Sequence, residues 1–401
     1  MRHTICPSTE EPLWDAPVST QEDVDRAVSA AKAAFPRWSR LSQDERADYL
    51  NKFADAIEAN KEELITLLGQ EVGKPPQAGS FELFLVMGLA RETPKLRLKE
   101  EKVTDDADLV ELGTKIFPPG VFQALSGDEG LGPLLTAYPD VAKLSFTGSI
   151  ATSKQVMAAC ASTLKRVTFE LGGNDAAIIC NDVDIDAVVA KVTFLTFVHC
   201  GQICMNIKRI YVHESIYDEF LAAMIAVTKQ LKTGDHTDPE AFFGPIQSSM
   251  QYGKLQRFYS QIGKEGWKTA LGGEPLQTEG KGFYMSPTII DNPPEDSSIV
   301  FDEPFGPIVP VIRWTDEEDV IKRANATKLG LGASVWSKDD SRAQRTAEQL
   351  EAGSIWVNTH FELAPNVPFG GHKQSALGMD WGELGLQRWC NPQAYWVKHS
   401  G

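Results

Sequence analysis

The stretch "VHCGQICMNIKR", residues 198–209, carries two cysteines, Cys200 and Cys204, four positions apart. "FELGGND", residues 169–175, carries Glu170 immediately before Leu171 and a Gly-Gly pair, 34 positions (204 − 170) ahead of Cys204. A thiolate is a better nucleophile than a hydroxyl near neutral pH, provided its pKa is lowered. A carboxylate activates water when its pKa lies nearer neutrality than that of a free Glu. Residue type alone leaves the plainer alternative open, because free cysteines are among the most buried residues and are mostly inert. Neither cysteine has a matching Cys or His pair at zinc spacing, so no metal centre is expected.

Three other stretches could position ligands. "FTGSIATSK", residues 146–154, reads as a strand, a turn at Gly148-Ser149 and a helix N-terminus, a geometry that can hold an anion. "DEPFGPIVP", residues 302–310, sets Glu303 and Phe305 just ahead of a strand, and "VPFGGHKQS", residues 367–375, is a Gly-rich loop with basic residues. No G-x-G-x-x-G fingerprint occurs in the chain.

The elements that must carry these residues follow from periodicity. From about residue 140, apolar runs such as "VAKLSFTGS", "RVTFELGG", "DAAIICND" and "PIVPVIRW" alternate with amphipathic segments such as "DIDAVVAKVTFLTFVH". Strands alternating with helices imply an α/β fold with a largely parallel sheet covered on both faces. Ahead of them, Ser19-x-x-Glu22 and Ser42-x-x-Glu45 read as capping boxes, and the first helix is expected to stop at Phe35-Pro36. "KEELITLLGQEVGKPP" makes a third helix, and residues 93–116 read as an exposed ribbon or linker.

Composition narrows the function class. A chain of 401 residues suggests two or three domains at roughly 150 residues each. A formal net charge of −16 argues against a nucleic-acid surface, which needs clustered Lys and Arg. No apolar run approaches the length of a membrane span, and six cysteines in a chain this long do not make a disulfide framework. A reducing, cytoplasmic compartment is the expectation.

The order F-T-G-S, F-E-L-G-G, G-Q-x-C, E-P-F-G-P and P-F-G-G-x-K resembles the aldehyde dehydrogenase superfamily over nearly the whole chain. The resemblance implies a Rossmann-like cofactor-binding domain over 1–99 and 114–199, a catalytic domain over 200–385, and an oligomerisation ribbon from 100–113 and 386–401. It implies that Cys204 is the nucleophile and Glu170 the general base. Gly148, Ser149, Leu171, Glu303 and Phe305 would hold NAD or NADP, with His199 and Phe361 on the substrate side. The implied chemistry is attack of the thiolate on a small-molecule aldehyde, hydride loss from the thiohemiacetal to nicotinamide, and hydrolysis of the thioester by water activated at Glu170. A homodimer or homotetramer is implied as well. Phe361, Phe369 and Trp381 point to an apolar or aromatic substrate.

The chain departs from the family pattern in one region. The family's Trp-Asn-Phe-Pro and Lys-Pro-Ser stretches are absent, and Leu112 is nearly spliced to Phe117. A βαβ unit takes about 30 residues or more, so a unit and a following helix are expected to be missing near 112–117. Residues 79–112, or a partner subunit, are then expected to pack over the gap. The lost Asn normally donates to the oxyanion, a contact worth about 10² to 10³ in rate. Ser153 also stands where a glycine lets the helix approach the pyrophosphate. Two further readings follow: a redox-neutral Cys204-dependent enzyme of isomerase or hydrolase type with weakened NAD binding, or a catalytically silent partner of an intact paralogue.

Overall fold

The computed structural model describes residues 2–96, 110–274, 281–394 and 396. The chain starts with an antiparallel hairpin, β1 (Arg2–Ile5) and β2 (Pro12–Ala16). Four helices follow: α1 (Gln21–Trp38), α2 (Gln43–Ala59), α3 (Lys61–Val72) and α4 (Pro76–Glu92). Helix α2 carries the expected Ser42–Glu45 box. Helix α1 is capped one residue later than expected: Thr20 Oγ1 accepts from the Asp23 N–H and Asp23 accepts from the Thr20 N–H at 2.8 Å. Both registers present a hydroxyl three residues before an acid, and only the latter begins where the apolar stripe begins. Helix α1 also runs through Pro36 to Trp38 instead of stopping. Proline removes only its own N–H and its φ is already helical, so two further residues can follow in the last turn.

Helix α5 (Val110–Ile116) occupies the end of the expected ribbon; 97–109 lie outside the described residues. Phe53, Ile57, Leu83, Met87, Phe117 and Phe122 make one buried cluster joining α2, α4 and the chain after α5. Helix α4 packs on α2 and α3, and part of the segment expected to cover the gap, 97–109, lies outside the described residues.

Three sheets hold the remaining described strands: one of seven, one of three, and the antiparallel pair Leu329–Gly330 and His372–Lys373. After α6 (Leu131–Ala137) come β3 (Lys143–Thr147), α7 (Ile150–Ala161) and β4 (Arg166–Glu170). Strands β3 and β4 pair in parallel with Thr147 opposite Glu170. The next elements are β5 (Asp175–Ile179), α8 (Ile185–Phe197), β6 (Ile207–His213), α9 (Tyr217–Thr228), α10 (Ser249–Glu265), β7 (Lys268–Leu271), β8 (Thr288–Asp291), α11 (Ser298–Phe301) and β9 (Ile308–Trp314). Then follow α12 (Glu317–Asn325), β10 (Leu329–Gly330), β11 (Gly332–Trp336), α13 (Asp340–Ala347), β12 (Ser354–Val357), β13 (His372–Lys373), β14 (Ala376–Leu377) and α14 (Gly382–Arg388). The large sheet has the order β12-β11-β5-β6-β9-β8-β7 and is parallel except for β7. Every residue of β5 is buried, as expected for a strand covered on both faces.

The small sheet has the order β14-β4-β3, with β3 outermost among the described residues. The expected division at 199/200 does not coincide with the sheets. Strand β5 already belongs to the large sheet, and β14 returns to the small one. The Leu171–Asn174 turn, not the end of α8, is where the chain changes sheet. Among the described residues no helix is long and apolar enough to cross a membrane.

Candidate active site

The turn that carries Cys204 hangs between α8 and β6. After Phe197 the chain reverses through three consecutive left-handed residues, His199 (φ 53°), Cys200 (φ 55°) and Gly201 (φ 67°). Glycine is required at 201, because a Cβ there would lie 2.4 Å from the Gly306 carbonyl oxygen. Two non-glycine residues in this region store strain of about 1 to 3 kcal/mol each, a cost usually met at functional sites. Asn206 staples the turn: its Oδ1 accepts from the Ile203 N–H at 2.8 Å and its Nδ2 donates to the Leu195 carbonyl at 3.0 Å.

The two cysteines are not equivalent. Cys200 is buried, its Sγ–H donates to the Gly244 carbonyl at 3.0 Å, and burial pushes its pKa up to about 12. It is a packing residue. Cys204 is half-buried, against Met205, Leu331, Phe369, Ile203, Phe361, Leu363 and Trp381. Burial pushes its pKa up to about 11; the Lys208 ammonium opposes this, while Asp175, Glu303 and Glu170 add to it.

Glu170 ends β4, and its carboxyl acts on the Cys204 thiol electrostatically. It is buried, and neither carboxyl oxygen has a hydrogen-bond partner among the described residues. Burial, with the Asp380 carboxylate second, raises its pKa to about 8. Next to it, the Leu171 N–H donates to the Ser375 carbonyl at 2.8 Å, and the Ser375 hydroxyl donates to the Gly172 carbonyl at 2.7 Å. This holds the "PFGGHKQS" loop against the end of β4.

The Gly-Gly turn is what brings the parts together. A Cβ on Gly172 would lie 2.0 Å from Glu303 Oε2, and one on Gly173 would lie 2.5 Å from the Cys204 carbonyl oxygen. Glu303 Oε1 accepts from the Gly173 N–H at 3.2 Å. Phe305 follows with φ 52°. On the other side of Glu170, its carbonyl accepts from the Gly148 N–H at 3.1 Å. Ser149 caps α7, accepting from the Thr152 N–H at 3.1 Å. Ser153 is buried and its hydroxyl donates back to the Ile150 carbonyl at 2.9 Å. Thus Cys204, Glu170, Leu171, Gly148, Ser149, Glu303, Phe305 and Phe361 converge. At His199, burial, with the Lys74 ammonium second, pushes the pKa down to about 3.

Three residues of this site carry no sequence expectation. Lys208 Nζ donates to the carbonyls of Ile203 (2.9 Å) and Cys204 (2.6 Å) and lies 2.9 Å from Glu303 Oε1. Beneath the turn, His360 Nε2 sits 2.9 Å from the Met205 carbonyl oxygen and 3.6 Å from Asp175 Oδ2. The one available signal was a lysine directly after the apolar Ile207, inside a segment otherwise reading as a buried strand.

A half-buried thiol and a buried, unpartnered carboxylate meet across a glycine turn between two sheets. The class this fold and site define is an α/β protein with a thiol and a buried carboxyl at one glycine turn. The model of the Aldehyde dehydrogenase family matches residues 2–107 and 98–395. The aldehyde dehydrogenase LUC3 of Fusarium sp is 35% identical, covering 98% of this chain and 95% of that protein. A betaine aldehyde dehydrogenase of Rhizobium etli is 31% identical over 98% of this chain and 93% of its own length. Among solved structures, the Staphylococcus aureus betaine aldehyde dehydrogenase in complex with NAD+ superposes with a TM-score of 0.91 at 26% identity, over 96% of this chain and 89% of that one. A mutant of aldehyde dehydrogenase C from Pseudomonas syringae, in complex with NAD+ and octanal, superposes with a TM-score of 0.91 at 27% identity, over 96% of this chain and 91% of that one. The chain belongs to the aldehyde dehydrogenase family.

Proposed function

We propose that this protein oxidises an aldehyde to a carboxylic acid through Cys204 and Glu170, with NAD+ or NADP+ as electron acceptor. The observation that carries the reading is the buried Glu170 carboxyl, with both oxygens unpartnered beside the thiol. Its ionised form is a base matched to near-neutral chemistry: the pKa lies at about 8, and no hydrogen bond among the described residues has to break when water or thiol approaches. Ionised Glu170 takes up the thiol proton as Cys204 Sγ bonds to the aldehyde carbon, and passes it to solvent. Loss of the C–H hydride to the electron acceptor converts the adduct to a thioester. Glu170 then removes a proton from the attacking water, the carbon–sulfur bond breaks, and the acid leaves with the Cys204 thiolate restored. A bound dinucleotide would supply the two-electron acceptor. Its nicotinamide end suits the residues present, since Gly172 lets the Glu303 carboxylate approach the turn and Phe305 lies two residues further along. Gly148, Ser149 and the N-terminus of α7 suit its phosphates.

We further propose that the adenosine side is reduced. The chain passes through α5 straight into Phe117, and β3 is the outer strand of its sheet. Calorimetric titration of NAD+ and NADP+ separates this from the silent-partner reading, in which neither binds. The exposed Trp396 in the C-terminal segment supports a homo-oligomer.

The substrate body is read from the rim. Phe361 packs in the apolar cluster around Cys204, and its ring lies 6.4 Å from that of Phe81 on α4. Phe81 and Phe84 are both exposed. Rings in this arrangement suit an uncharged, apolar aldehyde, in keeping with the octanal held by aldehyde dehydrogenase C. The test compares 3,3-dimethylbutanal and octanal with betaine aldehyde, the charged isostere of the first, following reduced-cofactor absorbance. Both neutral aldehydes should show the higher kcat/KM. Preference for betaine aldehyde would refute the substrate class, and no reduced cofactor with any aldehyde would refute the dehydrogenase reading.

A further inference from the structure

Lys208 is an ammonium group in a place built for apolar residues. It is the second residue of β6 and only 3% exposed. Burying a charge is costly unless it is paired and hydrogen-bonded. Here three acceptors surround Nζ: the Cys204 carbonyl at 2.6 Å, the Ile203 carbonyl at 2.9 Å and Glu303 Oε1 at 2.9 Å. The Phe305 ring centre lies 5.8 Å away. The first two acceptors belong to the turn that carries the nucleophile. The third belongs to the loop after α11, about 95 residues further along the chain (303 − 208).

We propose that Lys208 is the positioning residue that locks the Cys204 turn to the Glu303–Phe305 segment, so that the nucleophile and the second carboxylate keep one relative geometry. The meaning of the two ends rests on the dehydrogenase reading, while the lock itself does not. The thiol is faced by Lys208 from β6, Glu170 from β4, Asp175 from β5 and Glu303 from the loop before β9. Lys208 is the one cation in that set, and Glu303 is the anion it holds. Removing one or the other therefore moves the sulfur's reactivity in opposite directions. Removing both should not give the sum of the two effects, because Glu303 is held near the turn by Lys208.

The test follows alkylation of Cys204 by iodoacetamide in the full chain from pH 7 to 10, read by mass on the peptide that contains it. Below the thiol pKa, a displacement of one unit changes the rate about tenfold. Lys208→Met should slow alkylation by about tenfold or more at every pH of this range. Glu303→Gln should speed it severalfold, and that gain should disappear in the Lys208→Met background. A folded Lys208→Met protein with the wild-type profile overturns the proposal, as does a Glu303→Gln protein that reacts no faster. Should Lys208→Met fail to fold, Glu303→Gln alone decides by the same criterion. Alkylation needs neither aldehyde nor dinucleotide, so failure here leaves aldehyde oxidation standing, and absence of turnover leaves this result readable.

Discussion

Glu170→Gln offers the sharpest test of the site, because one buried group controls both stability and chemistry. The carboxyl is 7% exposed with no hydrogen-bond partner, and its pKa lies near 8 instead of 4.5. Burial is the main cause and the Asp380 carboxylate the second. In the unfolded chain the group ionises above pH 4.5, whereas in the folded protein it keeps its proton to about 8. Each pH unit in that window therefore favours the unfolded state by about 1.4 kcal/mol, and the loss ends above the folded pKa. Glutamine has the same size and does not titrate. Whatever its amide costs is the same at both pH values and cancels from the comparison. Between pH 5.5 and 7.5 the wild type should lose about 2.5 kcal/mol relative to Glu170→Gln. With an unfolding entropy of about 2.1 cal/mol/K per residue, this corresponds to about 3 °C of differential melting temperature for cooperative unfolding of 401 residues. Calorimetry of both proteins at the two pH values reads it directly. A gap that stays constant, or narrows as pH rises, would show that Glu170 is ionised in the folded protein across this range and would remove the argument for a carboxyl tuned toward neutrality. The same substitution should lower acid formation by about 10² to 10⁴.

Two further substitutions separate packing from chemistry. Cys200→Ala should leave aldehyde oxidation within about threefold, since its thiol is bound to the Gly244 carbonyl, and should cost about 1 kcal/mol in denaturant unfolding. A loss of activity as large as that of Cys204→Ala would overturn the assignment. Gly172→Ala has an allowed backbone φ, but its Cβ would lie 2.0 Å from Glu303 Oε2. The flexible carboxylate must swing aside, so dinucleotide affinity should drop about tenfold or more by calorimetry with little change in melting temperature, one displaced charged hydrogen bond being worth about 1.5 to 3 kcal/mol. Unaltered affinity would mean that Glu303 takes no part in holding the cofactor.

How much of this was legible in the residues depends on whether the interaction is local. Glu170 and Cys204 stand at a strand end and in a turn, and glycine spacing marks both places, so their chemistry could be read before their geometry was known. The alternation of strands and helices from residue 140 onward was legible for the same reason. The sheet change at the Leu171–Asn174 turn was not. It rests on β14 pairing with β4 across about 206 positions (376 − 170), with Ala376 opposite Glu170, and nothing local encodes that pairing. The register of the α1 cap was ambiguous because Ser19 and Thr20 both precede an acid by three. Lys208 was hidden for a different reason. Two of its three acceptors are backbone carbonyls, which every residue has, so no side-chain pattern announces the pairing. The third, Glu303, already had an expected part to play toward a ligand. A buried cation held mostly by main chain is invisible to reasoning by residue type. It becomes evident only when the turn that presents Cys204 is seen to fold its carbonyls inward, and the price of that arrangement is a site whose nucleophile and second carboxylate cannot move independently.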